Sequence, residues 1–254
     1  GARSTLAVGE LGTVILDGVD IASDIVSNGM LLVRSHTKGI NAGSNAFVAF
    51  RSVVGGNVAA NHVAIVESDV EFLDVGLDLV LHESIVRDGV AAGGSVTATS
   101  SIVTSSSGPA VDVNNSAGPI GLFHCTIIAN PPSPPLLIES SDAPVTLVAD
   151  ALVATAPSAV LTSSADVPTL TLAGCRFVTG GAVPFVLDGV DVAEDEIDAC
   201  TFPRCVSSAD NAVVADPGFA TVAHLAPTSP LANAAPTATD FGAATSVLVD
   251  VDGA

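Results

Sequence analysis

The chain has no Trp and no Tyr, one Met (Met30), one Lys (Lys38) and six Arg among its 254 residues. Each shortage excludes something. Nucleic acid and anionic lipid are held by clustered Lys and Arg, and 27 acidic residues give a formal net charge of −20 that repels both. Apart from Phe there is no aromatic surface to stack sugar rings. No apolar run approaches the ~18 residues of a membrane-spanning helix, so membrane insertion is not expected. The four cysteines form no Cys-x-x-Cys and have no paired His, which argues against zinc. The chain begins at Gly1 without a signal peptide and reads as a mature, processed or excised chain.

Hydrophobic residues make up 48% of the chain, and Val and Ala dominate them. Small and β-branched side chains suit a narrow interior between stacked strands. The 23 Gly and 15 Pro punctuate the chain at short intervals, as many short strands joined by turns require. The acid excess fits a salty or cation-rich medium. Low Lys, abundant Ser, Thr and Asn, and an even cysteine count lean towards a secreted or cell-surface location.

A short phrase recurs. Phe123-His-Cys-Thr-Ile127 returns as Val148-Ala-Asp-Ala-Leu152, Ala173-Gly-Cys-Arg-Phe177 and Asp198-Ala-Cys-Thr-Phe202, so that Cys125, Asp150, Cys175 and Cys200 step by 25 residues. Towards the N-terminus the anchors Ser52, Ser68, Ser84 and Ser101 step by 16 to 17, with Ser35 one further step back. Self-similarity at such a period marks a solenoid, in which each repeat stacks on its neighbours for want of a core of its own. Strand, turn, strand, repeated with the same side chains inward, predicts an all-β right-handed parallel β-helix. About ten to twelve coils at ~4.8 Å each would make a rod about 50–60 Å long. Residues 1–210 are expected to form the helix, short coils first and 25-residue coils after. Residues 211–254 are read as a capping segment of the same domain.

An apolar strand followed by a small polar residue or Cys, then Thr or Arg, then Ile or Phe, resembles secreted right-handed parallel β-helix proteins of the pectin-lyase-like fold. Ala215-Asp-Pro-Gly-Phe219, His224-Leu-Ala-Pro-Thr-Ser-Pro230, Leu231-Ala-Asn-Ala-Ala235 and Asp250-Val-Asp-Gly253 resemble the closing segment of bacterial surface β-helix proteins. The family commonly has Gly where Ala235 stands. The resemblance covers residues 45 to 253 and implies fold and export rather than a reaction.

Cys125, Cys175 and Cys200 share the repeat's equivalent position and are read as small stacked core residues. Cys200 and Cys205 flank a four-residue loop and are the favoured disulfide; Cys175 and Cys200, in adjacent coils, are a rival pair. Leu187-Asp-Gly-Val-Asp-Val-Ala-Glu-Asp195 echoes Leu16-Asp-Gly-Val-Asp-Ile-Ala-Ser-Asp24, and Asp188, Asp191, Glu194, Asp195, Glu196 and Asp198 are the candidate Ca²⁺ ligands. The competing reading is a polar corner, Asp-Gly being ordinary turn chemistry. No catalytic set stands out. The nearest is His82, Glu83, Arg87 and Asp88 with Glu67 and Asp69 on the coil before. Expected is a non-catalytic structural or adhesive rod whose partners are itself or surface glycans. The alternative is a polysaccharide lyase or hydrolase, or a glycan-binding module, of the same fold.

Overall fold

The computed structural model of the chain describes residues 6–7, 13–43, 45–114, 118–130, 132–139, 143–148, 150–154, 158–162, 169–179, 183–213, 219–221 and 224–225. The described chain winds into a parallel β-solenoid with three strand-bearing faces per coil. Face 1 stacks Val14–Asp17, Met30–Val33, Ala46–Phe50, residues 62–66 and 78–82, Ser95–Thr99, Ile120–Phe123, Val145–Val148, Leu170–Ala173 and Cys205–Ala209 in parallel. Face 2 stacks strands beginning at Asp20, His36, Val53, Asp69, Ile85, Ile102, Thr126, Ala151, Arg176 and Ala212. Face 3 runs from Leu6 through Ile25, Ile40, Val58, Leu73, Val90, Val111, Leu136 and Val160 to Phe185.

Face 2 measures the coils. Steps of 16 or 17 residues lead from Asp20 to Ile102, steps of 24 or 25 from there to Arg176, and a step of 36 to Ala212. The longer coils place their extra residues in the corners and leave the strands in register. In a short coil the corner must be tight: a Cβ on Gly94 would collide with the carbonyl of Leu77 on the coil before.

The interior is filled by inward columns, such as Leu32, Ala49, Ile65, Leu81, Ala98, Leu122, Leu147 and Leu172 of face 1, all buried. Alternation along each strand supplies them, because successive side chains point to opposite sides. Two buried side-chain oxygens among the described residues have no partner, Asp112 Oδ1 on face 3 and the hydroxyl of Thr37, fully buried in the face 2 column directly below Val54. Thr37→Val fits the same space and removes an unpaired hydroxyl. It is expected to stabilise the fold by about 1 kcal/mol, read as a higher urea midpoint at unchanged slope.

On face 3 the chain itself covers the last parallel strand. Phe185–Leu187 turns at Asp188 and Gly189, both at positive φ (48° and 73°), into the antiparallel strand Val190–Val192. Two consecutive positive φ angles make the hairpin turn whose twist matches the flanking strands. A short helix, α1 (Glu194–Ala199), follows and buries Ile197. Phe202 is buried beside it, edge-to-face on Phe185, which in turn packs edge-to-face on Phe177. The sequence reading assigned the cap to residues 211–254, of which 214–218, 222–223 and 226–254 lie outside the described residues.

Candidate functional site

The recurring phrase builds the corner between faces 1 and 2. Its first turn residue adopts positive φ in coil after coil: Gly18, Arg34, Arg51, Glu67, Glu83, Ser100, His124, Gly174 and Asp210. For a residue with a Cβ this conformation costs about 1–2 kcal/mol. What offsets it is the next residue, whose side chain turns inward and satisfies a buried amide of the coil before. Ser35 N–H donates to Ser52 Oγ (3.1 Å), Ser52 N–H to Ser68 Oγ (3.0 Å), Ser68 N–H to Ser84 Oγ (3.2 Å) and Ser84 N–H to Ser101 Oγ (3.2 Å). Each hydroxyl also donates to the carbonyl two residues earlier, as Ser84 does to His82 at 2.7 Å.

The long coils continue the ladder with other groups. Cys125 N–H donates to Asp150 Oδ1 (2.7 Å) and Cys175 N–H to Asn211 Oδ1 (2.9 Å). Cys125 and Cys175 are free and buried, and their thiols point to the carbonyls of Phe123 and Ala173. Burial is the largest cause raising both thiols well above the ordinary range, so neither is a nucleophile or thiolate ligand at neutral pH. Cys200 is not the fourth member: that position belongs to Asn211, and the step of 25 ends at Cys175 because the last coil is 36 residues long. The position is thus selected for a hydrogen-bonding side chain of limited size, not for apolar packing as read from the cysteines.

Asp150 is the ladder's one carboxyl. It is fully buried and accepts from Cys125 N–H and from Val148 N–H (2.9 Å). Burial pushes its carboxyl well above the ordinary range, and the two amides offset only part of this. The folded chain therefore keeps a proton that the unfolded chain releases, so stability falls as pH rises from about 3.9, the ordinary Asp value, towards the raised one. Ser fills the same ladder position in five other coils. Asp150→Ser is expected to remove this slope: its stability relative to wild type should rise with pH by up to about 1.4 kcal/mol per unit across that window. Urea titrations at a series of pH values read it.

The candidate Ca²⁺ residues lie in the C-terminal closure. Asp188 occupies the hairpin turn, and its N–H donates to Thr162 Oγ1 at 2.8 Å. Glu196 accepts from Ala193 N–H (2.9 Å) at the start of α1, and Glu194 accepts from Val213 N–H (3.0 Å). Asp191 pairs with Val186 in the antiparallel ladder, and Asp195 and Asp198 are carried on α1. Among the described residues no group of three or more His, Cys, Asp or Glu is placed to hold a metal ion. Cys200 and Cys205 are joined by a disulfide, Cα–Cα 5.5 Å, just after α1. Cys200, at φ 52°, ends the helix in the left-handed conformation, with Thr201 N–H donating back to Glu196 O.

The group nearest to a catalytic set is divided among separate partners. Arg87 pairs with Asp69, Arg51 with Glu67 (2.6 Å) and Arg34 with Asp17 (2.7 Å), each across one coil step. The hydrogen bonds to these carboxylates raise Arg51 and Arg87 further above their ordinary range. Asp88 accepts from Ser106 Oγ (2.7 Å), and His82 stands 3.6 Å from Glu83. On the far edge of face 1, Asp78 accepts from Ser95 Oγ (2.6 Å) and lies 2.9 Å from His62, and these contacts lower its carboxyl, Ser95 most. Surface charge is thus spent on joining coils.

Sequence reading overlooked the outward side of face 1. In register, Ile15, Leu31, Val48, Ala64 and Val80 form one outward column, and Val33, Phe50 and Val66 form part of the next. From the sixth coil the first column changes to Thr97, Gly121, Thr146, Thr171 and Ser207. The signal was present as runs such as Met30-Leu-Leu-Val33, which lack the polar alternation of a one-sided strand.

Fold and surface together define an all-β parallel solenoid whose exterior is built from inter-coil pairs and one half-apolar face. No protein-family model, curated protein or solved structure matches the chain. Among the described residues no helix is long and apolar enough to cross a membrane.

Proposed function

We propose that this chain is a non-catalytic structural or adhesive rod, secreted or displayed at the cell surface, with the right-handed winding of pectin-lyase-like β-helices and a capacity to associate with its own kind. The observation that carries this reading is the use made of its charged side chains. The acids and bases that a polysaccharide lyase or hydrolase would gather in one groove are distributed as coil-to-coil pairs, Arg34 with Asp17, Arg51 with Glu67 and Arg87 with Asp69. Such pairs join neighbouring coils and engage these three arginines in ion pairs. The acidic, Lys-poor surface favours association in high salt or Ca²⁺, where repulsion between copies is screened.

Negative-stain imaging at high ionic strength, with and without Ca²⁺, tests the reading, alongside incubation with acidic and neutral polysaccharides. Filaments, arrays or paired rods without release of sugar ends are expected. Dispersed single rods that cleave a polysaccharide would replace it with an enzyme of the same fold.

A further inference from the structure

The apolar half of face 1 is exposed. Ile15 is 66% and Val80 44% exposed, and Leu31, Val33, Val48, Phe50, Ala64 and Val66 are partly so. These residues cover five consecutive coils, a length of about 24 Å at the usual strand spacing. Contiguous apolar surface of this kind marks an interaction site.

The rim selects the occupant. Along the corner between faces 1 and 2, the residues following these five strands are Gly18, Arg34, Arg51, Glu67 and Glu83, two cations followed by two anions; Arg34 and Arg51 are paired with Asp17 and Glu67 of their own chain and remain more than half exposed. Such an order is complementary to itself when reversed. Reversed about the gap between the third and fourth coils, Arg51 meets Glu67, Arg34 meets Glu83, and Gly18 meets Ser100. The same operation sets Val48 against Ala64, Leu31 against Val80 and Phe50 against Val66. A two-fold axis along the rod would instead oppose each coil's two edges and bring Glu83 towards Asp78 of the other copy.

We propose that the apolar half of face 1 is the seat of a second copy of this chain, docked face to face about a two-fold axis that runs along the strands between the third and fourth coils. Self-complementary surfaces of this type are what a two-fold dimer requires. The four coils that meet apolar against apolar, the second to the fifth, present about 300 Å² per copy by one strand length, under half of the ~800 Å² typical of a stable interface, so the dimer is weak and reversible. The sixth coil, with Thr97 opposite Ile15 and Ser100 opposite Gly18, is its margin, and the hydroxyl-bearing coils beyond it, from Gly121, lie outside. On face 3 the antiparallel strand Val190–Val192 already pairs with the last parallel strand. The inference supplies a surface for the self-association in the reading above and is separately testable.

Sedimentation equilibrium of the full chain over a concentration series tests it. A monomer–dimer equilibrium is expected, abolished by Val48→Glu and by Leu31→Glu, each with unchanged circular dichroism and melting because both side chains point outward. Arg34→Glu and Glu83→Arg are each expected to weaken the dimer about fivefold, and the double swap R34E/E83R to restore it. A monomer at every concentration, or a dimer indifferent to both Glu variants, overturns the proposal; failure of the double swap to restore the dimer overturns its antiparallel register. Filaments that persist in V48E would uphold the assembling rod while removing this face. A V48E-sensitive dimer that releases sugar ends from a polysaccharide would do the reverse.

Discussion

Replacing Ser84 with valine is expected to destabilise the protein by about 2–3 kcal/mol, whereas Ser84→Cys should cost about 1 kcal/mol or less. Ser84 is buried; its hydroxyl accepts from Ser68 N–H at 3.2 Å and donates to His82 O at 2.7 Å. Valine fills the volume but leaves the Ser68 amide with no acceptor. The loss is largely the desolvation penalty of that one N–H, because the His82 carbonyl still accepts from Glu67 N–H at 2.9 Å. Cysteine keeps a weak version of both bonds, as Cys125 shows with its thiol 3.4 Å from Phe123 O. Equilibrium urea unfolding distinguishes the variants. Equal losses for Val and Cys would mean that the position responds to shape, not to the amide of the coil before.

A larger loss, about 3–5 kcal/mol, is expected for Phe185→Ala. Phe185 is fully buried at the last parallel strand of face 3 and touches Phe177 and Phe202 at ring-centroid distances of 4.9 and 6.2 Å. Among the described residues no parallel strand stacks on it on face 3, where the antiparallel hairpin strand pairs with it instead. In a solenoid each coil is held by its nearest neighbours, so the damage should remain local. Hydrogen exchange should quicken across residues 185–213 while the coils from Met30 to Leu81 keep their protection. Uniform loss of protection along the rod would show that the coils unfold as one unit. Reduction of the Cys200–Cys205 bond should add to the effect, because it ties the end of α1 to the start of the last face 1 strand.

Much of this architecture was legible from spacing. The Ser anchors at 16 to 17 residues and the steps of 25 through Cys125, Asp150 and Cys175 correspond to stacked coils. The last step failed for a physical reason: Cys200 sits at the right interval by coincidence, and the hairpin, α1 and disulfide loop intervene before Asn211 takes the ladder position. Sequence periodicity measures intervals between residues and says nothing of an inserted element whose own ends meet. The role of the anchors was also hidden. Ser, Cys, Asp and Asn look unrelated by hydropathy, and only the amide of the preceding coil reveals what they share. Likewise, Arg34, Arg51, Glu67 and Glu83 at positive φ follow from a corner that every coil must make, not from any preference of Arg or Glu. The candidate acids from Asp188 to Asp198 were legible as a cluster along the chain, but in space they divide between a turn, a strand and a helix.

The corner ladder has a consequence for how such a molecule can change. Each rung is satisfied by the rung beside it, and Ser52, Ser68 and Ser84 are interchangeable members sixteen residues apart. A whole coil can therefore be removed or duplicated between them without orphaning an amide, whereas a change of one or two residues within a strand breaks the register of three faces at once. The rod's length is thereby quantised: it is a quantity that duplication can adjust in units of one coil, with the interior, the corners and the closure at the far end left as they are.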